Sequence, residues 1–147
     1  MSRIVTDIIA LRKKSTEVGP DEALELMGFL RSAMTEYNEQ ALGLCLPQIG
    51  IPKRALIIDH DGLVLNMVNP VIIKKSKQKS KFPEGCLSLP GTVERPITVE
   101  RPKRITVKYT NLDGEDVKEK YDGIIAKAIQ HEIDHLDGIL ILDYKRD

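Results

Sequence analysis

Tryptophan is absent from this chain, and 147 residues hold only two cysteines, two phenylalanines and three histidines. Cys45 and Cys86 are too few for the disulfide framework of a small secreted scaffold. They read as free thiols, ligands or core residues, in a reducing cytoplasm. No apolar run approaches the ~18 residues of a membrane-spanning helix. The opening MSRIVTDIIALRKKS sets an acid inside its short apolar stretch and lacks a small-residue cleavage site, so it does not read as a signal peptide. Nor is there an excess of one charge: Lys+Arg and Asp+Glu are both 22. That balance argues against a general polyanion-binding surface, though it leaves room for a local basic patch. Neither nucleic acid nor a membrane is expected as a partner. What remains is an ordinary composition, 41% hydrophobic and 30% charged. It suits one domain over residues 1–147 with a modest core. Nothing suggests an obligate interface, so a monomer is expected.

Residues 19–38, GPDEALELMGFLRSAMTEYN, open with Gly19-Pro20 and two acids. Proline tolerates a first helical turn, and acids favour the positive end of the helix dipole. Leu24, Met27, Leu30 and Met34 then recur at helical spacing as a core-facing stripe. After residue 50 the pattern turns to short β-rich runs: 54–60, 63–69, 70–75, 104–110 and 115–121. Asp61-Gly62 and Asp113-Gly114 mark hairpin turns. The basic run KKSKQKSK (74–81) reads as a solvated edge or loop. Helical periodicity returns over 122–137, and ILILDY (139–144) reads as a last strand. The order predicts an α+β fold, with antiparallel sheets around a C-terminal helix and an N-terminal helix beside them.

That C-terminal helix contains QHEIDHLDG (130–138). Histidines at i and i+4 share one helix face and can clamp one metal ion. Ile124, Ala128, His131 and His135 form a single stripe, otherwise apolar, so both imidazoles are expected to point inward. Glu132 is turned about 100° around the axis, where a carboxylate can take a proton from a metal-bound water. Catalytic sites usually use three protein ligands. Only twelve residues follow His135, and none is His, Cys or Glu. Asp137 is too near on the same helix end, and Asp143 sits in an apolar run. The third ligand is therefore sought upstream. His60, beside Asp61-Gly62, reads as a turn residue. Cys86, in FPEGCLSLPG (82–91), is the better candidate. An ordinary buried thiol is the competing reading.

EGCLS (84–88) followed some forty residues later by QHEIDHLDG resembles the peptide deformylase family. A third family signature, G-x-G-x-A-A-x-Q, is met in altered form by ALGLCLPQIG (41–50), between the first helix and first strand. The resemblance covers essentially the whole chain. It implies removal of the formyl group from the formyl-methionine of newly made polypeptides. It implies Cys86, His131 and His135 as ligands of one divalent ion, with iron(II) the physiological metal and zinc, nickel or cobalt able to substitute. It implies Glu132 as general acid/base, and the Gln48 amide and Leu87 N–H as donors to the formyl oxygen. Leu42, preceding Gly43, matches a position whose backbone bonds the substrate peptide like an added strand, and Leu42 is also a candidate for the methionine pocket. Ile129 is a candidate for the methionine pocket, and Arg101 aligns with an arginine near the groove.

Four residues depart from the first signature: Ala41, Cys45, Leu46 and Pro47. An alanine at positive φ would cost about 1 kcal/mol. The stretch TVERPITVERP (92–102) reads as a lengthened loop on the far wall of the groove. The C-terminal helix implicated in ribosome docking is not matched, which leaves ribosome association open. Two other functions fit parts of the pattern. A metallopeptidase would need a further downstream ligand. A silent binder of formylated peptides would be expected to have lost Glu132, Gln48 or Cys86.

Overall fold

The computed structural model describes residues 3–144. In chain order the elements are α1 (Ile8–Leu11), α2 (Ala23–Tyr37), β1 (Gly43–Cys45), β2 (Ala55–His60), β3 (Leu63–Lys75), β4 (Lys79–Glu84), α3 (Gly91–Glu94), β5 (Ile97–Pro102), β6 (Arg104–Thr110), β7 (Asp116–Asp122) and α4 (Gly123–Leu136). Short 3₁₀ turns cover Leu46–Ile49 and Ile141–Tyr144. Five strands pair antiparallel in the order β1-β2-β3-β6-β7, and β4 with β5 makes a separate hairpin. This is the α+β arrangement expected. No helix among the described residues is long and apolar enough to cross a membrane.

The large sheet is covered on two faces, and β2 shows why. Its alternate residues point opposite ways. Leu56 and Ile58 enter the core under α4, together with Cys45, Met67, Ile105 and Val107. Ala55 and Ile57 enter the core under α2, together with Leu44 and Val68. Every residue of β2 from Ala55 to Ile58 is buried, so the strand reads as a continuous apolar run and not as an alternating one.

Several expectations need correction. The α2 stripe is Leu26, Met27, Leu30, Ala33 and Met34. Leu24 lies about 120° from the centre of that arc at 100° per residue, and it is 70% exposed. Ile124, in the first turn of α4, is exposed as well. The runs 63–69 and 70–75 are one strand, β3, interrupted by bulges between Val68 and Val71 and between Ile72 and Lys74. Asn69 takes φ +52 there, and its amide bonds both the N–H and the carbonyl of Val18. Pro70 can follow because a bulge leaves ladder positions unpaired.

The basic run 74–81 is solvated, as expected, and is made of two strand ends joined by a turn: it closes β3, turns over 76–78, and starts β4. The supposed loop 92–102 holds α3 and strand β5, which pairs with β4 from Glu84–Ile97 to Lys79–Pro102. ILILDY is not a strand. The Asp143 carboxylate accepts from Leu140 N–H at 2.9 Å, and Asp143 N–H returns a bond to the Leu140 carbonyl. This local side-chain bond outcompetes a ladder and winds Ile141–Tyr144 into a 3₁₀ turn.

Candidate metal centre and peptide cleft

Three elements bring the site together. Helix α4 carries His131, Glu132 and His135, all buried. The β4–β5 hairpin ends at Glu84 and delivers Cys86 on the turn that follows. Cys86 N–H donates to Thr92 Oγ1 at 2.9 Å, and Thr92 Oγ1 donates to the Leu89 carbonyl at 2.7 Å, which sets the turn. Gly85 allows this, since a Cβ there would lie 2.8 Å from the Thr92 carbonyl oxygen. The third contributor is the 3₁₀ turn Leu46–Ile49, which carries the buried Gln48.

Cys86, His131 and His135 each offer one ligand atom, all within 4.8 Å of one another. Cys86 Sγ lies 3.3 Å from His135 Nε2. Ligands about 2.0–2.3 Å from a shared tetrahedral ion stand roughly 3.3–3.8 Å apart, so the spacing suits one divalent metal. The second nitrogen of His131 is already committed. Its Nδ1 lies 2.9 Å from Glu84 Oε1, which fixes the ring and leaves Nε2 as the donor.

Glu84 in turn is gripped by Arg101, Nε to Oε2 at 2.7 Å and Nη2 to Oε1 at 2.9 Å. Arg101 Nη1 reaches Asp134 Oδ2 at 2.8 Å, and the Tyr144 hydroxyl donates to the same oxygen at 2.7 Å. Burial alone would raise the Glu84 pKa, yet Arg101 and His131 hold it at about 2. Burial opposes charge on His131 as well, but Glu132, Cys86 and Glu84 draw it up to about 10. His135 moves the other way, held down to about 3 by burial and by the neighbouring His131 and Arg101.

Glu132 is 4% exposed, and its Oε1 has no hydrogen-bond partner. Burial raises its pKa, with His131 and Cys45 pulling the other way. A desolvated carboxylate with an unpartnered oxygen beside metal ligands is placed to accept a proton. Gln48 is held by its oxygen. Cys45 donates to Oε1 through its backbone N–H at 3.2 Å and its thiol at 3.4 Å. The amide is thereby turned so that Nε2 points to Cys86 Sγ, at 3.6 Å, and to Ser88 Oγ, at 3.2 Å. Cys45 is fully buried and packs in the core under α4. Pro47 falls in the first turn of the 3₁₀ segment, where no internal donor is required. Ala41 is not among the positive-φ residues, so the backbone strain considered above does not arise.

A cleft of about 240 Å³ opens on the site. Leu42, Gly43, Gln48, Cys86, Leu87, His131 and Glu132 line it, together with Val93, Pro96 and Lys127. β1 borders it as the outermost strand of the sheet, paired only with β2. Asp59 N–H donates to the Leu42 carbonyl at 2.8 Å. Alternation along an antiparallel ladder then turns both polar groups of Gly43 toward the free edge. A side chain at Gly43 would meet Ile58 and the Ile57 carbonyl within 2.9 Å and Glu132 at 3.3 Å, so only glycine fits.

Two expected groove residues lie elsewhere. Ile129 is fully buried in the core under α4 and does not line the cleft, because it lies about 130° round the helix from the centre of the arc made by Lys127, Ala128, His131 and Glu132. Arg101 is 2% exposed and stands behind His131, its guanidinium fully engaged by carboxylates. Conversely, Glu84 and Lys127 went unassigned in the sequence. Glu84 could have been found, since a metal-binding histidine calls for an acceptor on its second nitrogen and the nearest acid to Cys86 lies two residues before it. Lys127 precedes His131 by one helical turn, and that spacing was the available signal.

Comparison with known proteins agrees with this geometry. The family model for polypeptide deformylase matches residues 2–147. A peptide deformylase of Fusobacterium nucleatum is 42% identical over 110 residues, covering 74% of this chain and 62% of that relative's length. One of Natranaerobius thermophilus is 38% identical over 138 residues, covering 93% of this chain and 86% of the relative. The crystal structure of the Thermotoga maritima peptide deformylase superposes with a TM-score of 0.89 at 35% identity, covering 100% of this chain and 99% of the other. The whole-length match, and the buried ligand group at the end of a strand-edged cleft, lead to one conclusion: this chain belongs to the polypeptide deformylase family, whose members are metal-dependent enzymes that remove N-formyl groups from nascent peptides.

Proposed function

We propose that the chain hydrolyses the formamide of N-formylmethionyl peptides, acting as a cytoplasmic monomer built on a single catalytic domain. The observation that carries this reading is the convergence of Cys86, His131 and His135 within 4.8 Å, with Glu132 and Gln48 facing the same cleft. The three converging residues hold the ion, iron(II) in the cell and zinc, nickel or cobalt as alternatives. When bound, a divalent metal supplies Lewis acidity, acidifying water and polarising the formyl carbonyl.

The rest is done by the chain. Glu132, unpartnered at Oε1, takes the proton of the attacking water and passes it to the departing amine. Gln48 Nε2 and Leu87 N–H donate to the oxygen on which charge develops, worth several kcal/mol in a site closed to water. The amide needs no reorientation, since Cys45 already holds its oxygen. The peptide extends along the free edge of β1, adding a strand through Gly43, with Leu42 beside it. Lys127 and Leu42 flank the methionine side chain.

The test is turnover of a short formyl-Met peptide by protein purified without oxygen, with metal content measured on the same sample. About one metal per chain with formate release supports the reading. Metal without formate release overturns it in favour of a binding role. Cys86→Ser should lose most of the metal, and unchanged metal content would place the third ligand elsewhere.

A further inference from the structure

The core under α2 reaches across the outer sheet face only as far as Val68 of β3. Beyond it, strand register decides what the outer face of β3, β6 and β7 displays. Arg104 pairs with Asp122, Thr106 with Lys120, Lys108 with Lys118 and Thr110 with Asp116. On the other side of β6, Lys74 pairs with Thr106 and Val71 with Lys108. Paired side chains share a face, and Ile105, Val107 and Tyr109 of β6 point the opposite way, into the core under α4. One face therefore gathers Lys74, Arg104, Lys108, Lys118 and Lys120, all exposed, against two carboxylates, Asp116 and Asp122.

Among the described residues none of these five cations enters a salt bridge. Lys74, Lys75, Arg104 and Lys120 also border a recess of about 210 Å³ with the hydroxyls of Ser76 and Thr106, and no carboxylate lines it. Lys108 and Lys118 stand directly opposite, a like-charge pairing that destabilises a sheet. A chain with no net charge thus sets five of its 22 Lys and Arg, including a mutually repelling pair, against two carboxylates on this face.

We propose that this face binds the phosphate backbone of RNA. Lys118 and Lys120 lie about 7 Å apart along β7, Lys108 stands roughly 5 Å from Lys118 across the ladder, Arg104 lies about 13 Å from Lys108 along β6, and Lys74 and Lys120 flank Thr106 about 10 Å apart. Cations spread this widely over three strands outreach one small anion and suit a chain of repeated charges. Thr106 itself is buried between them, and Val71 is the one large apolar side chain at these paired positions. Binding to a bilayer surface would call for more apolar side chains to insert beside the cations. Overall neutrality argues against a general polyanion-binding surface but leaves room for a local basic patch, and register gathers one here. The proposal does not rest on the reaction, since none of these residues lines the peptide cleft.

The experiment is fluorescence anisotropy of a labelled 20-base-pair RNA duplex with the metal-loaded full chain, between 50 and 200 mM salt. Three to five phosphate contacts should give a log–log salt slope of roughly −2.7 to −4.5. K108E/K118E/K120E should lose about 30-fold or more in affinity and flatten the slope, with formyl-peptide turnover unchanged. K108A/K118A/K120A should show the same direction of loss. K118E alone should raise the unfolding temperature, because it replaces a repulsion with an attraction. The proposal is overturned by no binding at 50 mM salt, or by equal affinity of wild type and both triple variants. It is also overturned by retention on phosphatidylserine vesicles that the duplex fails to displace.

Discussion

Helix α2 lays Leu26, Met27, Leu30, Ala33 and Met34 against one side of the sheet, and every residue it buries is apolar. Helix α4, on the other side, buries Gln130, His131, Glu132 and His135 alongside its apolar residues. Around it Gln48, Glu84, Ser88 and Arg101 are also nearly inaccessible. Two amphipathic helices of similar length thus form cores of different kinds. The first is held by area removed from water, about 25 cal/mol per Å². The second buries charges that would be strongly unfavourable alone and are tolerated because Arg101 holds Glu84 and Asp134, and Glu84 holds His131, at 2.7–2.9 Å. Its exceptions are Glu132 Oε1, on a residue that lines the cleft, and His135 Nδ1, on the far side of the ring from the Nε2 that lies beside Cys86 Sγ. The unpartnered carboxylate oxygen beside the ligand group serves a ligand and not the chain's own stability.

Substitutions can break this contrast, and the largest effect should be on chemistry. Glu132→Ala should lower kcat by roughly 10²–10⁴-fold, the usual worth of a positioned acid/base, with metal content unchanged by elemental analysis. Retained turnover would remove Glu132 from the mechanism. Arg101→Met should destabilise by about 3–5 kcal/mol in urea unfolding, because it strands Glu84 as an unpaired buried carboxylate. It should also weaken metal binding by 10–100-fold through the loosened His131. A loss of stability without loss of metal affinity would show that His131 keeps its place unaided.

Met27→Ala, in the apolar core, should destabilise by about 2–5 kcal/mol through cavity formation. It should leave the kcat/KM of the folded enzyme unchanged, and a drop at low temperature would mean that the two cores are coupled across the sheet. Leu24→Gln, on the exposed side of the same helix, should shift stability by no more than about 0.5 kcal/mol.

The sequence exposed these two cores unequally. Periodicity located both helices, because 3.6-residue spacing survives whatever the buried chemistry. It misassigned Leu24, where a stripe of four fits two rotations of a helix and only the partner sheet chooses. The metal ligands were legible because their spacing and type are dictated by coordination, and two of the three share one helix face. Arg101 and Ile129 were not legible as to role. Whether an arginine faces a groove or a buried carboxylate depends on strand pairing between β4 and β5, and that pairing was hidden by prolines at 83, 96 and 102 and by a basic run that reads as solvent-loving. The 3₁₀ turn at Ile141–Tyr144 was hidden likewise, because one aspartate's bond to the backbone outweighed an apolar run.

The chain of contacts from Tyr144 through Asp134, Arg101 and Glu84 to His131 works as a strut. Arg101 also rests on the Tyr144 ring, 4.9 Å from its centroid. Its far end is the last described turn of the molecule, and its near end is a metal ligand. A tag, a cleavage or a binding partner that disturbs Tyr144 would be felt at the ion without touching the cleft.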